Sequence, residues 1–295
     1  MKKNLFLILL VNSFAFAALA QDEFAALQAE FQKMLNDPKN VYGKNNAHGK
    51  YYDIRGFKMY VEIYGQGTPL LFMHGNGGSI NNFTKQIPYF SQKYKVIVAD
   101  SRAHGKSIDP GDSISYEMMA DDFAALLDAM KIDSAYVIGW SDGGINGLLM
   151  AIRHPGKVKK LAITGASLRP DTTAVPQKVW DMVTPRYNQL KAKPDKSERE
   201  KRGYKLLKLL VENPHIPLID LQKISCPTLV IGGDHDVIKE EHTLEIYKNI
   251  PKAYLWILPN SGHSTPIVYT NEFNAKIEAF FKQPYRKFEA VTRFF

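Results

Sequence analysis

Residues 135–152 read AYVIGWSDGGINGLLMAI, and this stretch decides the fold. Its first four residues are apolar, as in a buried strand, and from residue 145 onward apolar side chains recur at helical spacing. Between the two patterns lies a G-x-S-x-G motif, which places a serine on a sharp strand-to-helix turn with its hydroxyl exposed. We therefore predict that Ser141 is a nucleophile at a helix N-terminus, where free N–H groups favour developing negative charge.

The same alternation of strand and helix extends along most of the chain. Helical stripes separate short apolar runs, so we predict an α/β fold with a mostly parallel sheet and helices on both faces. In such sheets functional residues lie in the loops at the carboxyl ends of the strands. The apolar runs are residues 69–73, 95–99, 135–138, 160–164, 228–231 and 253–258.

One long interval without a strand pattern interrupts this alternation. Residues 168–225 contain a helical pattern near 178–190 and a second one from about 197, where Ser197 and Glu200 have the form of a capping box. This interval is interpreted as a helical lid inserted into a single domain that spans residues 51–295. Trp180 and Tyr187 either line a pocket beneath the lid or pack inside it.

A serine nucleophile needs a general base, and the base needs a carboxylate to orient it. His263 follows the last apolar run, in a loop before the final helical pattern, whereas His48 and His242 are interpreted as exposed. The run at 228–231 ends in two acids, Asp234 and Asp236, which the residues alone do not separate. The chain order serine, aspartate, histidine is that of a hydrolase triad.

Tetrahedral intermediates also need two backbone donors for the oxyanion. The backbone N–H of Asp142, directly after the nucleophile, is one candidate. The loop after the 69–73 run reads His-Gly-Asn-Gly-Gly, and the N–H of Asn76 is the second. The glycines of this loop allow its backbone to come close to a substrate.

Together these motifs resemble the α/β-hydrolase family of the serine-nucleophile type, over residues 51–283. Besides the elbow they are His74-Gly75-Asn76, Gly233-Asp234-His235-Asp236, Gly262-His263 and the loop at residues 100–107. The resemblance implies Asp236 as the triad acid in place of Asp234, a small-molecule acyl substrate, and no cofactor or metal. In the 100–107 loop the family has glycine at the position of Ala103 and a structural histidine at that of His104.

The elbow Gly-Trp-Ser-Asp-Gly-Gly is a narrower variant, and it resembles the valacyclovir hydrolase or biphenyl hydrolase-like group. There the acid after the nucleophile is implied to bind the amino group of an amino-acid ester. The matching residue is Asp142. The alternative is that Asp142 only complements the positive end of the helix dipole.

Several functions share these residues. The first hypothesis is hydrolysis of an ester, lactone, thioester or amide. A cofactor-free perhydrolase or a hydrolase of C–C bonds would use the same triad, and a non-catalytic ligand-binding protein could reuse the fold. The absence of a recognition motif argues against a nucleic-acid partner, despite a formal net charge of +8.

The N-terminus predicts export. Lys2 and Lys3 precede an apolar stretch at residues 5–19, and Ala18-Leu19-Ala20 has the form of a cleavage site, so residues 1–20 are predicted to be a signal peptide. The protein would then be periplasmic or secreted, without stable membrane insertion. Residues 21–50 are predicted to form a short amphipathic helix and a linker.

The positive charge is concentrated in part of the lid. Residues 186–208 contain nine Lys and Arg and three acids, whereas the rest of the chain after residue 20 has 27 of each sign. The segment is interpreted either as a solvated helical face or as a surface that attracts anionic substrates or an anionic envelope.

Overall fold

The computed structural model describes residues 33–35 and 37–288, and the chain separates into two compact units, residues 1–41 and 42–295. In the described part of the first unit residues 33–35 are helical, and Asn40 N–H donates to the Asp37 carbonyl at 2.8 Å. The predicted signal peptide, and most of the helix predicted after it, lie outside the described residues.

Eight strands and nine helices are found in the described part of the second unit. The strands are β1 (Gly49–Ile54), β2 (Phe57–Tyr64), β3 (Thr68–Met73), β4 (Tyr94–Ala99), β5 (Ala135–Trp140), β6 (Val158–Thr164), β7 (Thr228–Gly233) and β8 (Ala253–Leu258). The helices are α1 (Ile87–Phe90), α2 (Tyr116–Ala129), α3 (Asp142–Arg153), α4 (Gln177–Ala192), α5 (Glu198–Glu212), α6 (Leu218–Leu221), α7 (Glu240–Asn249), α8 (Thr265–Val268) and α9 (Thr270–Lys282).

All eight strands form one sheet in the order β1-β2-β4-β3-β5-β6-β7-β8, which confirms the predicted α/β class. The β1–β2 and β2–β4 pairs are antiparallel and the other five pairs are parallel. The parallel strands are buried on both faces, as their continuous Val, Ile and Leu content predicts. The strand order reverses between β3 and β5, so the loops after these two strands face a crevice where ligands of such sheets bind.

The antiparallel hairpin differs slightly from its predicted bounds. β1 begins at Gly49, within the predicted linker, and pairs Ile54 with Phe57 across a two-residue turn at Arg55 and Gly56. Both turn residues have positive φ, 44° and 90°, as in the type I′ turn that suits the twist of a hairpin.

The interval predicted to be a lid, residues 168–225, contains α4, α5 and the short helix α6. Its capping box forms as predicted, because Ser197 Oγ accepts from Glu200 N and the Glu200 carboxylate accepts from Ser197 N at 3.0 Å. The Tyr187 ring stacks on Tyr204 with centroids 5.8 Å apart, and Trp180 is buried in a cluster with Val175 and Ile238. Both aromatics therefore pack within the lid or under it.

Acids within the lid partly neutralise its positive segment. Lys193 pairs with Glu200 at 2.7 Å and Lys201 pairs with Glu198 at 2.8 Å. Arg199 is exposed and lies on the same helix. The excess of charge thus remains on the solvent side of the lid.

His242 was predicted to be exposed, and this prediction is wrong. Its side chain is buried, Nε2 accepts a hydrogen bond from Leu168 N at 3.0 Å, and Nδ1 lies 3.0 Å from the Glu245 carboxylate. Burial, followed by the positive charge of Arg169, lowers its pKa to about 4 despite the opposing effect of Glu245. A neutral His242 therefore fastens the first residues of the lid insertion to α7.

A buried ion-pair chain joins α5 to the loop after β4 and to α2. Arg102 donates to both carboxylate oxygens of Asp122, at 2.7 and 2.8 Å, and to Asp109 at 2.9 Å. Lys205 on α5 donates to the other oxygen of Asp109 at 2.9 Å. The side chains of Arg102 and Asp122 are 7% and 1% exposed, so each charge depends on its partner for solvation.

We expect Asp122→Ala to lower the free energy of unfolding by about 3–5 kcal/mol, because it leaves the Arg102 guanidinium buried without its bidentate partner. Lys58→Ala is the control, since the Lys58–Asp53 pair is 68% and 85% exposed. Loss of that pair should cost no more than about 1 kcal/mol. Urea unfolding measures both changes, and equal losses would contradict the assigned role of the buried chain.

Candidate active site

The turn between β5 and α3 adopts the strained geometry that its sequence motif predicts. Ser141 has φ 58° and ψ −121°, a conformation that costs a non-glycine residue about 1–3 kcal/mol. The neighbouring glycines permit it, because a Cβ on Gly143 would lie 1.8 Å from the Met73 carbonyl oxygen and one on Gly139 would lie 2.2 Å from that of Gly143. The serine hydroxyl consequently lies at the carboxyl end of the interior strand β5, at the N-terminus of α3.

The structure brings Ser141, His263 and Asp236 together. His263 Nε2 lies 2.9 Å from Ser141 Oγ, and His263 Nδ1 lies 2.6 Å from Asp236 Oδ1. The Asp236 carboxylate is fully buried, and Oδ1 also accepts Ile238 N at 3.2 Å. Because an ionised carboxylate only accepts, the proton between these groups belongs to Nδ1, and Nε2 is left with its lone pair toward the serine.

Asp234, the other candidate acid, has a different task. Its carboxylate accepts the backbone N–H groups of Asn260 and Ser261 at 2.9 and 3.0 Å. These hydrogen bonds, first that of Ser261, lower the pKa of Asp234. Asp234 therefore secures the loop that carries His263, and the two acids are separated by geometry that their shared sequence context does not contain.

Opposing influences set the pKa of His263. Burial lowers it, but the charge of Asp236, the hydrogen bond from Nδ1 and the charge of Asp142 outweigh burial and raise the pKa above its usual value. Trp140 Nε1 donates to the His263 backbone carbonyl at 2.9 Å, which fixes the loop from the other side. Sequence reasoning missed this role of Trp140, although its position beside the nucleophile was a signal.

The predicted oxyanion loop packs directly on the nucleophile. A Cβ on Gly75 would lie 3.0 Å from Ser141 Cβ, and Gly78 N donates to the Gly75 carbonyl at 3.1 Å across a tight turn. Gly77, third in that turn, has φ 66° as a type II turn requires. Among the described residues, the backbone N–H groups of Asn76 and Asp142 donate to no protein acceptor, so both are available to a substrate oxygen.

Two buried histidines, His74 and His104, lie near this loop and make no hydrogen bond to Ser141. His74 Nε2 accepts Ser101 N at 3.0 Å, so Nδ1 carries the proton and donates to the Gly75 carbonyl at 2.8 Å. Burial lowers the pKa of His74 to about 4 and that of His104 to about 3. Both are therefore neutral near pH 7. Ala103 has φ 64°, in the left-handed region where the family's glycine would be unstrained.

Asp142 is buried, with 2% of the residue exposed. Its Oδ2 accepts the Asn76 side-chain amide at 2.9 Å, and the same amide donates to the Leu206 carbonyl of α5 at 3.1 Å. Burial raises the pKa of Asp142 to about 6, against the lowering effects of Asn76, Tyr116 and His263. No sequence signal pointed to Leu206, because every residue carries a carbonyl.

The acids and histidine of the Asp234–Asp236 loop do not converge on a common point. Within the described ranges, no three His, Cys, Asp or Glu side chains are arranged to hold a metal ion. None of the helices described is long and apolar enough to cross a membrane.

Titration of His263 tests the assignment of the acid. We expect NMR to give its imidazole a pKa above 6.5 in the unmodified protein, because the Asp236 carboxylate outweighs burial. Asp236→Asn should lower that pKa, since burial then meets less opposing charge. Asp234→Asn is the matched control and should leave the His263 pKa nearly unchanged. A larger shift in Asp234→Asn than in Asp236→Asn would overturn the assignment.

Comparisons with known proteins identify the family. Residues 68–215 match the family model described as alpha/beta hydrolase fold. Human serine hydrolase BPHL (Homo sapiens) is 25% identical over 269 residues, covering 82% of this chain and 89% of its own length. A putative carbamate hydrolase, RutD of Azorhizobium caulinodans, is 35% identical over 125 residues, 42% of this chain and 45% of its own.

A solved structure shows the same arrangement of the chain. Est816, described as an N-acyl homoserine lactone degrading enzyme, superposes with a TM-score of 0.66 at 25% identity, over 78% of this chain and all of its own. The family match, the eight-stranded sheet with its helices and the relatives named as hydrolases lead to one conclusion. This chain is an enzyme that belongs to the α/β-hydrolase family, and its relatives include serine hydrolases.

Proposed function

We propose that this protein is an exported serine hydrolase that cleaves an ester, lactone, thioester or amide of a small substrate through an acyl-enzyme. One observation carries the proposal, the continuous chain of contacts from Ser141 Oγ to His263 Nε2 at 2.9 Å and from His263 Nδ1 to Asp236 at 2.6 Å. This chain begins at a serine on a strained elbow, whose backbone conformation costs about 1–3 kcal/mol that the surrounding packing must offset.

In the first half-reaction neutral His263 accepts the hydroxyl proton at Nε2 while Ser141 Oγ bonds to the substrate carbonyl carbon. Asp236 keeps the Nδ1 proton in place and stabilises the imidazolium. The imidazolium then gives its Nε2 proton to the leaving group as the bond to that group breaks. Water repeats the sequence on the acyl-enzyme and releases the carboxylic acid and the free serine.

Charge develops on the carbonyl oxygen in both half-reactions. The N–H groups of Asn76 and Asp142 are the donors for that oxygen, because both lie beside Ser141 and neither is used within the described protein. Loss of one such donor typically costs 10²–10³-fold in kcat. Their fixed positions therefore contribute to the rate in addition to the base.

The substrate class is an acyl compound, and relatives support this breadth without narrowing it. Their names include a serine hydrolase, a putative carbamate hydrolase and a lactone-degrading enzyme. A substrate amine at Asp142 remains the special case for amino-acid esters. Such an amine would have to share the carboxylate with Asn76, whose side-chain amide already donates to Oδ2 at 2.9 Å.

Ser141→Ala tests the reaction class. We expect the protein to hydrolyse members of a panel of p-nitrophenyl esters, lactones and amino-acid esters, and to be labelled by a fluorophosphonate. The substitution should abolish labelling and lower kcat by about 10⁶-fold, because no other group supplies the nucleophile. Asn188→Ala, an exposed side chain on α4, is the control.

Other outcomes of the same panel distinguish the alternatives. Turnover or labelling that survives Ser141→Ala would overturn the proposal. Tight binding without turnover would indicate a ligand-binding protein. Peracid formation after hydrogen peroxide is added would indicate a perhydrolase, and cleavage of an added ketonic substrate would indicate a C–C hydrolase. A preference for free α-amines that Asp142→Asn removes would indicate amine binding.

The rate should also depend on pH in a defined direction. Only neutral His263 accepts the serine proton, and its pKa is raised above 6.5. We therefore expect kcat/KM to fall as the pH drops, with a midpoint above 6.5. A midpoint well below 6.5 would contradict the proposed influence of Asp236.

Export has its own test. Expressed in a bacterial host with its N-terminus intact, the protein should be found outside the cytoplasm with Gln21 as its first residue, since residues 1–20 fit a cleavable signal. Ala20→Tyr should block cleavage by placing a large side chain where the peptidase requires a small one. Full-length protein in the cytoplasm would contradict export, and an uncleaved, membrane-bound form would indicate an anchor.

A further inference from the structure

The side chain of Asn76 links three parts of the molecule. Its amide Nδ2 donates to Asp142 Oδ2 at 2.9 Å and to the Leu206 carbonyl at 3.1 Å. Asn76 lies in the oxyanion loop, Asp142 begins α3 at the elbow, and Leu206 lies in the lid helix α5. Both protons of one amide group are thus used to join the loop to the elbow on one side and to the lid on the other.

The two acceptors differ in strength. A hydrogen bond to an ionised carboxylate is roughly twice as strong as one between neutral groups. Asp142 is 2% exposed, so little water competes for its oxygens. The Leu206 carbonyl belongs to a helix and is a neutral acceptor. The bond to Asp142 therefore dominates the orientation of the Asn76 side chain. The bond to Leu206 then holds the lid helix α5 against this oriented side chain.

The lid helix is fixed by two consecutive residues. Lys205 reaches Asp109 at 2.9 Å, and the next carbonyl, that of Leu206, accepts from Asn76. These contacts are made by different loops, the first after β4 and the second after β3. One turn of α5 therefore rests on the loop after β4 and on the loop after β3, and the loop after β3 packs against Ser141.

We propose that Asn76 and Asp142, through their side chains, are positioning residues that hold the oxyanion loop against the elbow and register the lid over it. The inference rests on the proposed function, in which the backbone N–H of Asn76 stabilises the oxyanion. The bond to Asp142 governs the placement of that N–H, and hence kcat. The bond to Leu206 governs the closed lid and, through it, substrate binding and KM.

Four variants separate the two bonds. Asn76→Ala removes both. Asp142→Asn keeps the first bond, because the new amide can turn its oxygen toward Asn76, but removes the charge. Asn76→Asp places a carboxylate against Asp142 and the Leu206 carbonyl, and so loses both bonds with added repulsion. The double variant Asn76→Asp with Asp142→Asn restores a bond to the elbow with donor and acceptor exchanged, and leaves Leu206 unpaired.

We expect Asn76→Ala to lower kcat about 10²-fold, as for a catalytic group displaced by about 1 Å, and to raise KM. Asn76→Asp should be worse. The double variant should recover most of kcat while KM stays raised, which a general loss of stability would not produce. Asp142→Asn should lower kcat less than Asn76→Ala does, because the hydrogen bond persists without its charge. It should also move the acid limb of kcat/KM to lower pH, because the Asp142 charge contributes to the raised pKa of His263.

Steady-state kinetics on one p-nitrophenyl ester, with the active sites titrated by a fluorophosphonate, measures all of these effects. Asn188→Ala is the control for an asparagine of the lid. Wild-type kcat and KM in Asn76→Ala would overturn the inference, as would a double variant no better in kcat than Asn76→Asp. If Asn76→Asp fails to show cooperative unfolding, the kcat and KM of Asn76→Ala still test the inference. If Asn76→Ala fails, the comparison of the double variant with Asn76→Asp tests it.

Failure of the proposed function is recognised separately. In that case the unmodified protein itself shows no Ser141-dependent turnover of any ester in the panel. The positioning inference fails when the unmodified protein does turn over an ester and either Asn76→Ala matches it or the double variant has no higher kcat than Asn76→Asp.

Discussion

The backbone at Ser141 is the constraint on which the rest of the site depends. A residue with a side chain is held at φ 58° and ψ −121° because glycines on both sides let neighbouring chains approach closely. The tightest approach is at Gly143, where a Cβ would lie 1.8 Å from the carbonyl oxygen of Met73 at the end of β3. That contact brings the loop after β3 beside the loop after β5, and so places the candidate oxyanion donors beside the hydroxyl. A site with this geometry requires two parallel neighbouring strands, since their carboxyl ends then meet at one edge.

Carboxylates organise the loops around this constraint, and their surroundings give each a different role. Asp236 is fully buried and faces the imidazole, whereas Asp234 binds two backbone N–H groups of the histidine loop. Asp100 accepts Ile80 N and Lys106 N at 2.9 and 2.8 Å, and so ties the loops after β3 and β4 together. Burial raises the pKa of Asp100 to about 6 against the lowering effect of those hydrogen bonds. The precision of the site thus comes from carboxylates that hold backbone, with one acid left for the base.

The lid is integrated with this scaffold by polar contacts at one end of α5 and by apolar packing under α4. Lys205 connects α5 to the loop after β4, and the Leu206 carbonyl connects it to the loop after β3 beside Ser141. Trp180 packs α4 on Ile238, two residues after Asp236. Two further lid aromatics, Tyr187 and Tyr204, face each other between the helices. A substrate therefore meets a cover whose position is linked to the same loops that would carry out the chemistry. The surplus of positive charge lies on the solvent side of that cover.

The sequence by itself determined the fold class, the sharp turn at Ser141, the candidate base and the helical interval predicted to be a lid, because each has a local pattern. Apolar runs and helical stripes follow from burial, and the G-x-S-x-G turn needs small residues at fixed spacing. Only the tertiary structure distinguished Asp236 from Asp234 as the partner of His263. It also showed that His242 is buried and that the Asn76 side chain joins Asp142 to Leu206. These outcomes depend on residues distant in the chain and on which way a side chain points at the end of a strand. Asp234 and Asp236 lie two positions apart in the same local pattern, and the Leu206 carbonyl has no sequence pattern. The roles of these groups are therefore set only when the loops pack together.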